Sequence, residues 1–262
     1  MDLPSILLER TGGHIVTVTV NRPGRLNAVD FDTATQLKRV MSDVAGDATV
    51  RAVIVTGAGE KAFVVGADKS ETALHGDERR AASFENVCRD TFNLIAGMDK
   101  PVVCAINGYT FGLGVQLALA CTFRVACSGA RFGLPEVNMG FLPSMGATQR
   151  LTRLIGEARS MEMILTGKTV EAEEALRIGL VHRIVPFPEL PGVAQGLAAE
   201  LSEKDPLVLK LAMRAIRAAK DMGMAEGLAY EAELAKECGR HESGAESDKS
   251  GGENAGRPKA GA

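Results

Sequence analysis

The chain has 262 residues, 45% of them hydrophobic, enough for one large domain with a substantial core and room for a small appendage. A formal net charge of -3 offers no global field for collecting nucleic acid, and the short basic clusters lack interleaved aromatics. Five cysteines without CxxC spacing argue against a disulfide or zinc framework and for a reducing compartment. The start, MDLPSILLERTGG, carries no basic region followed by an apolar run, and no apolar stretch reaches the roughly 18 residues of a membrane span, so a cytoplasmic protein is expected.

Residues 14–21 (HIVTVTVN) alternate and are rich in β-branched side chains, which predicts a strand; Pro23 and Gly24 in NRPGRLNA break it. Asp30 can cap the helix that follows, in which Phe31, Ala34, Leu37, Met41 and Val44 recur at helical spacing. The runs 51–56 (RAVIVT) and 62–65 are short, apolar and ended by glycines, as buried strands are. A helix over about 79–98 carries Phe84, Val87, Thr91, Leu94 and Ile95 on one face. The order then repeats as strand 101–106, a glycine loop, helix 115–121 and strand 122–126. After 132–137 come helices at 147–155, 157–165 and 172–178, the last stopped by Gly179 before a strand at 180–185.

This recurrence predicts an α/β domain of stacked ββα-like units. Pro186, Pro188 and Pro191 mark a hinge, which places the end of the core near 190. Helices over 193–202, 206–222 and about 225–238 then form a helical appendage spanning 191–238. The stretch 239–262 has no Val, Ile, Leu, Met, Phe, Trp, Tyr or Cys, cannot bury enough apolar surface to offset its ordering entropy, and is expected to be disordered.

The glycine loop, INGYTFGLGVQ, places Gly108, Gly112 and Gly114 ahead of a polar Gln116 in an otherwise apolar helix. A loop between a buried strand and a helix leaves backbone N–H groups unpaired at the positive end of the helix dipole, and glycine lets a ligand approach them. The loop 65–68 (VGAD) also follows a buried run, so two N–H groups from separate loops could converge on one oxygen. Such an oxyanion hole is worth about 2.7–4 kcal/mol per donor in a well-studied protease. Either loop alone reads as an ordinary strand-to-helix turn, and it is the pair in context that favours the hole. A dinucleotide fingerprint is a poor alternative, since GLG lacks the third glycine and no acid follows at the required distance.

Four stretches, NRPGRLNA (21–28), RAVIVTGAGEKAFVVGAD (51–68), KPVVCAINGYTFGLGVQLALA (100–120) and FGLPEVNMGFLPSMGATQRLTRLIG (132–156), together resemble the crotonase, or enoyl-CoA hydratase/isomerase, superfamily. The later EMILTGKTVEAEEALRIGLVHRIVP (162–186) is similar to the segment that closes that family's core. The resemblance implies a crotonase-like spiral of ββα units, a C-terminal helical trimerisation region, often a dimer of trimers, and an acyl-CoA thioester with no cofactor beyond the coenzyme A of the substrate. It puts the oxyanion donors on the backbone N–H groups of Ala67 and Leu113. Leu113 is a departure, because the family usually has glycine there; a donor survives if the side chain points away from the thioester. Arg25 and Leu26 match the CoA-contacting loop, and Arg22, Ala67 and Lys69 join the CoA-binding set, although Arg22, Arg25 and Lys69 read equally well as solvated cations.

The pair of glutamates that hold water in the family's hydratases matches Gln116 and Glu136, of which only Glu136 is an acid. A thioester carbonyl held by two N–H donors acidifies its α-carbon, and one carboxylate can then move a proton from one position to another. That is enough for a 3-enoyl to 2-enoyl isomerisation. Hydration also requires a base for the attacking water, and an amide can orient water without deprotonating it. The expectation is therefore enolate chemistry with Glu136 as sole proton shuttle. A double-bond shift fits these residues better than efficient hydration, while the frequency of hydratases in the superfamily favours hydration. A single-acid 3-enoyl to 2-enoyl-CoA isomerase with little hydratase activity, a hydratase in which Gln116 only positions the water, and a weakly active or non-catalytic acyl-CoA-binding homologue are the alternatives.

Other chemistries find less support. Ser144 in FLPSMG is not a nucleophile elbow, and none of His14, His75, His182 or His241 falls in a motif that would pair with it. Cys104 and Cys121 read as core, and no two histidines stand at metal-ligand spacing. A second departure lies at the C-terminus, where the polar tail begins before the family's closing helix would end. It predicts an acyl pocket that is open at its far end or completed by a neighbouring subunit.

Overall fold

A computed structural model of the chain describes residues 4–68 and 78–252, with side chains described as far as 240. The described residues divide into two compact units, one up to residue 203 and one from residue 204.

The first unit is built on two sheets. The larger runs β1 (Ile6–Thr11), β2 (Ile15–Val20), β3 (Ala52–Gly57), β5 (Val102–Ile106), β7 (Phe123–Cys127) and β10 (Arg183–Val185) in that spatial order. β1 and β2 form an antiparallel hairpin whose turn uses Gly12 and Gly13 at φ of 68° and 71°, and the remaining pairs are parallel. The smaller sheet orders β4 (Ala62–Val64), β6 (Tyr109–Phe111), β8 (Arg131–Gly133) and β9 (Val170–Glu171), the first three parallel. Each long strand is thus followed by a short one in the other sheet and then by a helix: β3 and β4 lead to α2 (Glu78–Gly97), β5 and β6 to α3 (Leu113–Ala120), and β7 and β8 to α4 (Ala147–Ile155). These are the expected ββα units.

Because β4, β6 and β8 are parallel neighbours, the chain leaves all three at the same sheet edge. Those exits are Val65–Asp68, Gly112–Leu113 and Leu134–Glu136. α1 (Phe31–Gly46) begins at Asp30, whose carboxylate accepts the Thr33 N–H at 2.8 Å, and buries Ala34, Leu37, Met41 and Val44 as its spacing predicts. Two buried amides fasten the turn after β3. Asn107 donates to the Gly57, Gly59 and Ala62 carbonyls, and Asn27 to those of Ala58 and Ala62. At the far end of α3 the buried Arg124 donates to the carbonyls of Cys121 at 2.9 Å and Leu180 at 2.7 Å, placing a cation where the helix dipole is negative.

α5 (Glu157–Thr166) and α6 (Ala172–Arg177) follow the expected order. Three differences from the expected elements stand out here. β1, unassigned in sequence, is an edge strand with Leu8 48% exposed, so its residues show little alternation. β6 is a strand where a glycine loop was expected. α7 (Leu190–Ser202) packs on β3, β5 and β7 and belongs to the core, so the boundary falls after 203 rather than at 190 and Pro191 lies inside a first helical turn.

The second unit contains α8 (Pro206–Ala218), capped by the Asp205 carboxylate, packed with α9 (Met224–Gly252). Helical backbone therefore continues to Gly252, past the change in composition at Gly239 where disorder was expected. Residues 253–262 of the expected tail lie outside the described residues. No described helix is long and apolar enough to cross a membrane.

Gly114 shows how tightly α3 seats on β4: a Cβ there would stand 2.0 Å from the Val64 carbonyl oxygen. Gly114→Ala should lower stability by about 1–3 kcal/mol in urea unfolding. Gly129→Ala, with nothing within 4 Å of the new atom, should change it by less than about 0.5 kcal/mol. Equal effects would contradict this packing.

Candidate active site

The three strand exits meet at Gly112. Its backbone (φ 52°, ψ -115°) is a conformation that side chains disfavour. A Cβ on it would lie 3.2 Å from Glu136 Oε1 and 3.6 Å from Gly66 Cα. The Gly112 N–H donates to the Gly133 carbonyl at 3.0 Å, locking the β6 exit to the β8 exit. Gly66, at φ 102°, makes the corresponding turn out of β4.

Ala67 forms an isolated parallel bridge with Val29. The Val29 N–H donates to Gly66 O at 2.9 Å and the Asp68 N–H to Val29 O at 2.8 Å, so the N–H of the residue between them turns to the opposite side. Leu113 is the first residue of α3, where an N–H has no helical acceptor. Neither the Ala67 nor the Leu113 N–H has a backbone acceptor among the described residues. The Leu113 side chain is buried and borders a cavity of about 10 Å³ with Val29, Val64, Phe92 and Leu117, so it is turned into the core.

Gln116, one turn into α3, is 3% exposed, and its Nε2 donates to Glu136 Oε1 at 3.3 Å. Glu136 sits in the 3-10 turn Pro135–Met139 that follows β8. Gln116 Oε1 and Glu136 Oε2 are buried with no partner among the described residues. Burial raises the Glu136 pKa above the ordinary carboxylate value, partly offset by a backbone hydrogen bond. The arrangement thus offers a half-buried base, an amide fixed against it, and a backbone able to accept negative charge nearby.

The NRPGR loop is less as expected. Arg22 is 16% exposed and committed to Asp30 at 2.7 Å and Asp68 at 3.0 Å, with a further bond to the Ala28 carbonyl, so its guanidinium holds the loop together. That leaves Arg25, 64% exposed, as the cation presented to solvent, with Leu26 beside it at φ 52°. Pro23, Leu26, Asn27 and the turn 58–62 border an open cavity of about 340 Å³. Lys69 lies outside the described residues. Sequence reasoning missed Asp68 and Asn27; the signal was available in an acid following Gly66-Ala67 and two arginines in one short loop.

The family model for enoyl-CoA hydratase/isomerase matches residues 10–251. The chain belongs to the enoyl-CoA hydratase/isomerase family. It is 40% identical over 239 residues to a short-chain-enoyl-CoA hydratase of Clostridium acetobutylicum, covering 91% of this chain and 90% of that one. It is 37% identical to a crotonyl-CoA hydratase of Syntrophomonas wolfei, covering 86% and 84% of the two chains. The crystal structure of an enoyl-CoA hydratase from Bacillus anthracis superposes with a TM-score of 0.86 at 34% identity, over 88% of this chain and 90% of that one. The fold is therefore the crotonase-like α/β spiral, and the protein is an enzyme of the hydratase/isomerase type.

For this family member, the raised pKa of Glu136 has a stability consequence. The folded state holds that proton more tightly than the unfolded chain, so the ionised group costs stability above the raised pKa and nothing below the unfolded value. Glu136→Gln should raise Tm at about pH 8, and the gain should vanish on acidification below the ordinary value of about 4.3. A gain independent of pH in thermal melts would contradict burial as the cause.

Proposed function

We propose that this enzyme performs enolate-type chemistry on an acyl-CoA thioester, with the Ala67 and Leu113 N–H groups holding the carbonyl oxygen and Glu136 as the only acid–base group. The observation that carries this reading is the closeness of Glu136 to Gly112 at the start of α3, where a Cβ would stand 3.2 Å from Glu136 Oε1. The reaction it best supports is hydration of a short 2-enoyl-CoA. Water would donate one hydrogen bond to Glu136 Oε2 and one to Gln116 Oε1. Glu136 takes a proton from this water as its oxygen bonds to the β-carbon, and the electron pair of the double bond moves onto the thioester oxygen. The same carboxyl group then returns the proton to the α-carbon, so one molecule of water is added and the base is restored. The relatives named above, a short-chain-enoyl-CoA hydratase and a crotonyl-CoA hydratase, agree with hydration.

Gln116 favours a second reading. An isomerase moves one proton from the α- to the γ-carbon and needs one base only, so the missing second carboxylate is no handicap to it. As for assembly, we infer that the helical region from 204 to 238 serves self-association into a trimer or a dimer of trimers. Ile216, Met224 and Leu228, 69%, 81% and 57% exposed, support this reading.

Incubation in deuterated water with butanoyl-CoA, 2-butenoyl-CoA and 3-butenoyl-CoA separates exchange, hydration and isomerisation. Glu136→Gln should reduce all turnover by about 10²- to 10⁴-fold. Gln116→Glu should raise hydration and leave isomerisation unchanged or lower. Hydration that survives in Glu136→Gln would overturn the single-acid mechanism. Tight binding without turnover of any thioester would favour a non-catalytic binder.

A further inference from the structure

Asp68 follows Ala67 directly and is 3% exposed, a costly place for a carboxylate unless it is paired. Its Oδ2 lies 3.0 Å from Arg22 Nη1 and 3.2 Å from Arg25 Nη1, which also reaches Oδ1 at 3.2 Å. Its own N–H is held by the Val29 carbonyl. The Ala67 N–H belongs to the planar peptide from Gly66, whose carbonyl accepts from the Val29 N–H, so Val29 holds that peptide and the Asp68 peptide as one unit, and a shift of Asp68 moves both.

The two arginines differ in how far they are committed. Arg22 is largely buried and also bound to Asp30 and the Ala28 carbonyl. Arg25 comes from the exposed side and spends a single nitrogen, Nη1, on both carboxylate oxygens. Its Nη2 and Nε have no partner among the described residues, and a guanidinium has donors enough to bridge two anions. A phosphate arriving at Arg25 would be tied through it to Asp68, and through Asp68 to Ala67.

We propose that Asp68 is a positioning residue that couples capture of the phosphate-bearing end of the substrate at Arg25 to placement of the Ala67 N–H against the thioester carbonyl. The inference rests on the acyl-CoA reading above. It gives a route by which binding energy from the non-reacting nucleotide reaches the reacting bond, the condition for such energy to raise turnover as well as affinity. The aspartate offers both guanidiniums a negative charge and two acceptor oxygens, whereas an asparagine would keep one acceptor oxygen and no charge.

The test uses butanoyl-CoA and butanoyl-pantetheine, each labelled with ¹³C at the carbonyl, bound at saturation to wild type, Asp68→Asn and Arg25→Met. The infrared carbonyl stretch reports hydrogen bonding at that oxygen. Wild type should lower the stretch more for the CoA thioester than for the pantetheine one. Arg25→Met should reduce the CoA shift to the pantetheine value and leave the latter unchanged; Asp68→Asn should diminish both and abolish their difference. With 2-butenoyl thioesters, kcat in Asp68→Asn should fall about 10²-fold for CoA and less for pantetheine, a split that general loss of structure would not give. If Asp68→Asn does not fold, Arg25→Met on an exposed side chain carries the test. Equal shifts for both thioesters in wild type, or an unchanged difference in Arg25→Met, would overturn the coupling alone. Failure of wild type to bind either thioester would overturn the acyl-CoA reading, and the coupling with it.

Discussion

The parallel pairing of β4, β6 and β8 is the constraint on which the site depends. Three strands of three residues each contribute little burial area, but their register delivers Gly66, Gly112 and Glu136 to one edge. The bond from Gly112 N–H to Gly133 O continues that ladder beyond the strands and ties the start of α3 to the end of β8, shortly before the turn that carries Glu136. The supporting contacts are correspondingly tight. Gly108 and Gly114 bring backbone to within distances that no side chain would allow, and Asn27 and Asn107 neutralise carbonyls that the turn after β3 would otherwise bury unpaired.

Charge is arranged sparingly. The proposed acceptor of negative charge is made of peptide dipoles, which need no reorganisation and remain effective where water is excluded. Gln116 fits this economy. A second carboxylate at its position would repel Glu136 and push its proton affinity up by charge as well as burial. With the amide there, burial is the leading cause of the raised pKa, and Nε2 supplies a donor to the ionised form. Two arginines are committed to structural partners: Arg22 to Asp30 and Asp68, and Arg124 to the carbonyl of Cys121 at the far end of α3.

Much of this was legible in sequence because it rests on local signals. The apolar runs at 51–56 and 62–65, the Asp30 cap and the glycine clusters each report a local requirement for burial, helix start or close approach. What escaped depended on neighbours distant in the chain. β1 is defined by pairing with β2 and shows most of its surface to solvent, and β6 is a strand only because β4 and β8 flank it. The prolines at 186, 188 and 191 looked like a hinge, yet α7 is held by the apolar faces of β3, β5 and β7, which no local pattern announces. Asp68 takes its role from Arg22 and Arg25, which lie far from it in the chain. The GLG departure was resolved in the same way, by a core that receives the Leu113 side chain.

The central claim is that backbone N–H groups from two loops share one substrate oxygen beside a single acid. A crystal structure of the Glu136→Gln variant with bound 2-butenoyl-CoA measures this directly. The account predicts the thioester oxygen at about 2.7–3.1 Å from both the Ala67 and Leu113 nitrogens, with the residue 136 side chain against the α-carbon. A carbonyl bonded elsewhere, or a residue 136 side chain turned away from the double bond, would contradict it.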